Sequence, residues 1–504
     1  MRAARHTDCS PRTAIDVAGD AGPRSFGPIA IDRSAGEDQP GSGWIRLLAV
    51  LAGCQFISIT SLLVVLTLLG QIGATLHESR SDLGWLLIAG AMGNGLFPAL
   101  GSLLGQRRVL VGAMSFLAGG SAISALAPDA GVLLLGRIVS SFGIASIVVS
   151  VAIVRELYSG PALLRSLGLL AAIDGPANAA GFALGGIVQE VLHVDWRAVF
   201  WAIAAISVLM GAVAAAVIPD IRQRTAGRVD LAGAILLAAA LVALLLPITD
   251  GAQWGWTSWR VLVLLFAGVL LVTVWIGVEL RTCQPMIQLR VFCRPWVTSG
   301  CLLFALLGAT LTVINVTVPG FLEASPDAGG FGASVLRAGL SMLPFCAAMM
   351  PAAYLSSRLL RHCDPRLIVA ASLAIEVVVL GLLGVLHSTA GEVVLLCALF
   401  GLGHGGLLAS VYALVVRGAH PDEAGTSAGL GGVGSSVAGA VMAAVVTALL
   451  TRTQILIGHV PGPASDGYVH AWFVGAGLAA AGMMIVLVVR KRPKARSRPS
   501  RERG

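Results

Sequence analysis

The sequence predicts an all-α polytopic membrane protein with fourteen spans and both termini on the cytoplasmic side. Three observations carry this. Apolar segments of spanning length recur from about residue 45 to 489. The loops between them alternate arginine-rich with arginine-poor. Apolar residues make up 56% of the 504, and charged residues only 12%, which excludes an ordinary soluble domain. A hydrocarbon core of roughly 30 Å needs about 20 helical residues to cross it. Only helices or closed barrels can span, because every backbone amide in lipid must find an internal partner. The segments show neither the ~10-residue length nor the alternation of barrel strands.

Taken in order, residues 1–43 are polar, rich in Gly, Pro, Asp and Arg and without periodicity, and read as a disordered cytoplasmic tail. No cleavable signal is evident, since the first apolar run starts late and is too long. The first six spans are 45–69, 84–104, 109–127, 131–154, 166–188 and 197–218. Two more follow at 231–248 and 260–280. The last six are 296–318, 337–356, 367–386, 392–415, 429–450 and 471–489. The chain closes with a basic tail over 490–504.

The charges set the orientation. Of the 34 Lys and Arg, twenty-eight fall on one set of alternating segments, the tails included. The other set holds five (Arg80, Arg197, Arg260, Arg337 and Arg452), and Arg137 lies inside a span. A bias this large places both tails in the cytoplasm and requires an even number of crossings. The net charge of +8 therefore reflects membrane orientation. The run Arg490–Arg503 reads as an anchor against anionic lipid, with no nucleic-acid partner. Trp44, Trp85, Trp196, Trp201, Trp254, Trp256, Trp259, Trp296 and Trp472 lie near span ends, as an interfacial belt does.

Enzyme chemistry finds no support. There is no Walker loop, no serine sits in a Gly-x-Ser-x-Gly elbow with plausible partners, and the nine histidines lack metal-ligand spacing. Gly401-Leu402-Gly403-His404-Gly405-Gly406 imitates a dinucleotide loop but lies inside a span, where close helix packing is the better reading. Asn315-Val316-Thr317 forms a glycosylation sequon buried in span nine. All eight cysteines fall in spans or on the cytoplasmic side, which argues against structural disulfides.

Five motifs in order carry a resemblance. They are Trp196-Arg197-Ala198-Val199-Phe200; Asp230-Leu231-Ala232-Gly233 with Gly251 and Gly255-Trp256; and Glu279-Leu280-Arg281 followed by Pro285-Met286-Ile287 and Leu289-Arg290-Val291-Phe292. Arg337-Ala338-Gly339-Leu340 with Leu343-Pro344, and Glu423-Ala424-Gly425-Thr426-Ser427, complete the set. With them nearly all of 45–489 resembles the fourteen-helix drug:proton antiporter branch of the major facilitator superfamily. The resemblance implies two six-helix bundles, 44–218 and 296–489, joined by a two-helix linking segment, 219–295. The bundles would rock around a site near the midplane. It further implies a monomer in a bacterial plasma membrane that exports amphipathic drugs or antibiotics, with the proton gradient as energy source and no cofactor. A proton-independent facilitator or symporter of a small metabolite, and a non-transporting scaffold, are the competing readings.

The sequence also departs from that family. The acid usual in the first helix is replaced by Ser61. The loop after span two, Gly101-Ser102-Leu103-Leu104-Gly105-Gln106-Arg107-Arg108, lacks the family's Asp-Arg-x triplet, whose Asp is thought to latch the outward-open conformation. Span four reads Arg137-Ile138-Val139-Ser140-Ser141, and the antiporter glycine motif of span five becomes Gly181-Phe182-Ala183-Leu184-Gly185-Gly186. Gly101, Arg107, Arg108, Gly181, Gly185 and Gly186 are therefore the candidate conformational-switch residues.

Ionisable groups inside the membrane cost about 2.5–3.5 kcal/mol on insertion scales and are functional candidates by default. Asp174 is nine residues past Arg165, so at ~1.5 Å per residue it lies roughly 13 Å deep, near the midplane. Asn178 follows one turn later on the same face. Pro176 withholds a donor from the Ala172 carbonyl, loosening the helix beside the carboxylate. Asp174 is read as a proton carrier replacing the missing acid of span one, against a structural hydrogen bond. Arg137 occupies the position of the family's proton-relay arginine, against snorkelling to the headgroups. Glu376 reads as an interhelical hydrogen-bond residue, and His404 as packing or a group that titrates near neutrality. Gln55, Ser58, Ser61, Asn94, Asn178, Thr312 and Asn315 are the candidate cavity residues, by their place on helices that line the cavity in the family. Few polar groups in an apolar cavity suit a hydrophobic or amphipathic small molecule.

Overall fold

The computed structural model describes residues 42–76, 105–158, 160–219, 231–281, 295–360, 362–418, 424–457 and 460–488. Among the described residues, 11 helices are long and apolar enough to cross a membrane. They coincide with predicted spans one, three to six, eight to twelve, and fourteen. Leu231–Trp254 and Ala424–Arg452 lie over spans seven and thirteen. Span two, the basic tail and the first tail up to residue 41 lie outside the described residues, as do Asn94 and Gly101. The first helix begins at Ser42, just inside the segment read as tail.

The helices are α1 (Ser42–Leu76), α2 (Gln106–Ala125), α3 (Ala130–Ser141), α4 (Ala145–Leu157), α5 (Gly160–Ala172), α6 (Asp174–Gly186), α7 (Trp196–Val217) and α8 (Leu231–Trp254). There follow α9 (Trp259–Arg281), α10 (Pro295–Glu323), α11 (Val335–Ser341), α12 (Leu343–Leu359), α13 (Pro365–Leu383), α14 (Ala390–Gly418), α15 (Ala424–Arg452) and α16 (Ser465–Val488). Several starts are fixed by side-chain caps, which satisfy amides the first turn leaves free. Asp129 accepts from Val132 N at 2.9 Å, Asp195 from Arg197 N at 2.9 Å and Asp364 from Arg366 N at 3.1 Å. The Trp-Arg-x-x-Phe motif works as a staple. Trp196 and Phe200, one turn apart and fully buried, meet edge to face with centroids 5.7 Å apart. Arg197 lies over the Trp196 ring and donates to the Ala127 carbonyl at 2.9 Å, tying α7 to the turn before α3.

Among the described residues, three spans are interrupted. Span five breaks at Ile173, between α5 and α6, because Pro176 has no N–H for the Ala172 carbonyl. Span ten breaks at Met342, between α11 and α12, where Pro344 withholds its donor from Leu340. Span four passes through a 3₁₀ turn, Phe142–Ile144. Broken spans of this kind supply binding sites in transporters, because they present polar backbone at membrane depth.

Packing divides between two groups of spans. One apolar core runs from Leu47 to Ile218, through α1, α2 and α7. A second gathers α10, α12, α13, α14 and α16 around Phe321, Phe345, Phe400 and Trp472. Four residues of the first group, Ile59, Leu63, Ala177 and Phe182, join that second core, and α5 and α6 pack directly on α12. The helices α8 and α9 pack on each other, with Gly268 against Leu244, and α8 also touches α15. Trp259, Phe266 and Leu270 of α9 point outward, as lipid-facing side chains do. The all-α expectation needs one correction. Gln454–Ile457 and Val460–Pro463 form an antiparallel hairpin in register Ile455↔Gly462, with Ile455 and Ile457 the β-branched positions of its first strand.

Candidate functional site

The break in span five makes Asp174 the first residue of α6. Its carboxylate Oδ1 accepts a 2.8 Å hydrogen bond from Gln55 Nε2 on α1, and the same amide donates to the Leu170 carbonyl at 3.1 Å. Gln55 therefore bridges both sides of the break and fixes the acid against span one. Asn178 turns its amide inward to the Asp174 carbonyl. The sequence grouped Asp174, Gln55 and Asn178 separately, as proton and cavity residues. The fold brings them into one cluster.

Arg137 is buried in α3. Its Nη1 donates a 3.4 Å bond to Ser61 Oγ, and its Nε has no partner among the described residues. The arginine thus faces the position where the family carries an acid. It does not pair with Asp174, which meets α1 six residues earlier, at Gln55. Ser58 lies between these two contacts. It donates to the Gly143 carbonyl in the 3₁₀ turn at 3.1 Å and accepts from Ser146 at 3.0 Å. A guanidinium with a long contact and a free Nε, held in a dry bundle, attracts any anionic group that forms nearby.

Across the contact between the two groups of spans lies a second polar pair. His404 Nδ1 of α14 is 2.9 Å from Glu376 Oε1 of α13, both essentially inaccessible. The pair agrees with the interhelical bond expected for Glu376 and names its partner. Phe400 stacks on the imidazole with centroids 5.5 Å apart. Glu376 Oε2 and His404 Nε2 have no partner among the described residues. Asp174 and His404 are within electrostatic range of one another, as are Asp174 and Tyr412. The glycine run around His404 does pack helices. A Cβ at Gly401 or Gly405 would lie 2.3 Å from the Phe345 or Met349 carbonyl oxygen of α12. Removing one member of a buried pair strands the other, at a cost of about 3–5 kcal/mol. Glu376→Leu should therefore lower the thermal unfolding temperature in detergent sharply. Glu376→Leu with His404→Leu should recover most of that loss.

Span five also forms the contact on the opposite side from Arg165. Gly181 and Gly185 admit Leu63 and Thr67 of α1, and a Cβ at Gly186 would collide with the Leu336 backbone of α11. Gly339 of α11 meets the Phe182 carbonyl in the same way, and Gly175 that of Cys346. Just beyond, Glu190 closes the seam with both oxygens. Oε1 accepts from Leu336 N at 2.8 Å and Oε2 from Ser334 Oγ at 2.8 Å, capping α11 from the other group of spans. Glu190 and Gly339 were absent from the sequence candidates. The bidentate cap is a tertiary contact with no local signature, although Gly339 stood in one of the quoted motifs.

At the Arg165 end the two groups meet at Gly168 and Ser357, where a Cβ on the glycine would lie 3.0 Å from the serine hydroxyl oxygen, and leave space beside that contact. A cavity of about 820 Å³ opens between α5 and α12, lined by Trp44, Arg165, Leu169, Ala172, Met350, Pro351, Tyr354 and Arg358 among others. None of the six described candidate cavity residues lines it. Thr312 is turned to its own helix, bonding the Gly308 carbonyl at 2.8 Å. Asn315 is buried, with Oδ1 unpartnered among the described residues. Among the switch candidates, Arg107 donates to the Ala215 carbonyl of α7, while Arg108 is exposed. The five described cysteines for which pairing is defined, Cys54, Cys301, Cys346, Cys363 and Cys397, are free thiols.

A profile of the Major Facilitator Superfamily matches residues 51–443 and 300–504. The chain is 30% identical over 446 residues to the cephamycin export protein CmcT of Amycolatopsis lactamdurans, covering 85% of this chain and 88% of that one. It is 26% identical over 426 residues to the multidrug resistance protein Stp of Mycobacterium tuberculosis, covering 81% and 77%. Its fold matches the crystal structure of the human organic anion transporter MFSD10 (TETRAN) with a TM-score of 0.62, at 14% identity, over 89% of this chain and 100% of that one. The chain belongs to the Major Facilitator Superfamily.

Proposed function

We propose that this protein exports amphipathic drugs or antibiotics across the plasma membrane in exchange for protons, by alternating access. It is a multi-pass membrane transporter of the drug-resistance branch of its family, at the bacterial plasma membrane. The observation that carries the exchange is Asp174. It stands at a break in span five, is held to span one by Gln55 and lies within electrostatic range of His404 in the other half. The adjoining Gly175 packs on the Cys346 carbonyl of α12, so the acid stands beside the contact between the halves that alternate, where a carrier linking proton and cargo belongs. The seam sealed by Glu190 and the cavity at the Arg165 end correspond to one side closed and the other open.

The halves are 44–218 and 296–489, with the linker helices between them. Fourteen crossings, eleven of them represented by long apolar helices among the described residues, make an even number that fits two cytoplasmic tails. The proton gradient supplies the energy, and the protein works as a monomer. The cargo class follows from relatives named for cephamycin export and multidrug resistance. A facilitator is the second reading, favoured by Ser61 standing where the family carries an acid and bonding Arg137 directly.

Expression in an efflux-deficient bacterium, with growth inhibition measured across a panel of amphipathic antibiotics, tests the reading. Resistance should rise for at least one compound. Arg137→Leu should remove it while the amount of protein in the membrane stays the same. Resistance that survives Arg137→Leu points to transport without the relay arginine.

A further inference from the structure

We propose that the cavity between α5 and α12 holds a membrane phospholipid with an anionic headgroup. Its walls are apolar in depth, with Leu169 and Ala172 on one side and Met350 and Pro351 on the other. Its mouth carries Arg165, Arg358 and His362. Among the described residues, no acidic side chain lines it. Neither arginine is paired with a carboxylate among the described residues. The cationic end and the apolar end are separated by two turns of helix, Arg165 to Ala172 and Met350 to Arg358, or roughly 10–12 Å. That is the layout of an amphiphile with an anionic head and a hydrocarbon body.

Two aromatic side chains frame the mouth. Arg358 Cζ lies 4.8 Å over the Tyr354 ring, which holds the guanidinium in place. Trp44 Nε1 donates to Ser166 Oγ at 3.0 Å, fixing the indole beside Arg165. Aromatic rings of this kind settle at the headgroup level of a bilayer. Met350 and Tyr354 remain 50% and 53% exposed, so the site is a groove that a lipid can enter with one chain still in the bilayer. The arginine bias assigns this end to the cytoplasmic leaflet, where anionic lipids concentrate and basic pockets between spans bind their headgroups. Closure of this end must expel the lipid, so an anionic leaflet stabilises the conformation described here.

The full-length protein in nanodiscs of phosphatidylcholine provides the test. Phosphatidylglycerol with brominated chains is titrated in, and quenching of Trp44 is taken as the difference from Trp44→Phe. Quenching should saturate and exceed that from brominated phosphatidylcholine at the same mole fraction. Arg165→Gln with Arg358→Gln should raise the half-quenching fraction by roughly thirtyfold, at about one surface-charge contact per arginine. Arg165→Lys with Arg358→Lys should keep the preference, which separates lost charge from lost fold. Equal quenching by the two lipids, or an unchanged midpoint in the glutamine variant, overturns the proposal.

Discussion

Asp174→Asn is expected to abolish uphill export while leaving downhill exchange of cargo intact. The substitution keeps the size of the side chain and an acceptor for Gln55 Nε2, so the α1–α6 contact survives. What it removes is the exchangeable proton. One proton per cargo molecule across about one pH unit sustains a roughly tenfold concentration ratio, since 1.4 kcal/mol is a factor of ten. In reconstituted vesicles with an imposed pH gradient, the variant should show a ratio of one. Counterflow of labelled against unlabelled cargo should continue at a rate close to that of the parent protein. Coupled accumulation at the parent level in Asp174→Asn would make the acid structural.

Glu190→Ala is expected to shift the protein toward the conformation open on the opposite side. The carboxylate makes two hydrogen bonds across the seam, to an amide and a hydroxyl. Bonds to charged groups contribute about 1.5–3 kcal/mol each when dry. Glu190 is half-buried, so the pair is discounted to roughly 1–2 kcal/mol together. That moves a two-state equilibrium by about tenfold. Spin labels at Leu192 and Asp327, both exposed near the seam, should report a longer distance population in the variant. An unchanged distance distribution would mean that the glycine contacts of Gly186 and Gly339 hold the seam without it.

The positions of the spans were legible because hydropathy and arginine alternation act over twenty residues at a time. The weak point in span five was legible for a local reason, since Pro176 must orphan the carbonyl four residues before it, although the sequence carried the span unbroken from 166 to 188. Pro344 does the same in span ten, but in the sequence it stood only as part of a resemblance motif. The hairpin after α15 was lost among loop residues, since four-residue strands carry too little pattern. Side-chain partnerships were the least legible. Glu376 and His404 were weighed singly, and their pairing depends on how α13 and α14 turn toward one another. Glu190 caps a helix 146 residues away, a relation no local pattern carries. Ser58 and Ser61 suit a cavity by residue type, yet their hydroxyls meet Gly143, Ser146 and Arg137 within the first bundle.

The most direct test of the account uses inverted membrane vesicles acidified inside by respiration, with a pH-sensitive dye. A panel of cationic, anionic and neutral antibiotics is added in turn. The account predicts compound-specific proton release from vesicles carrying the protein, absent from vector controls and from Asp174→Asn. Cargo uptake with no proton movement, or proton release undiminished in Asp174→Asn, would contradict it.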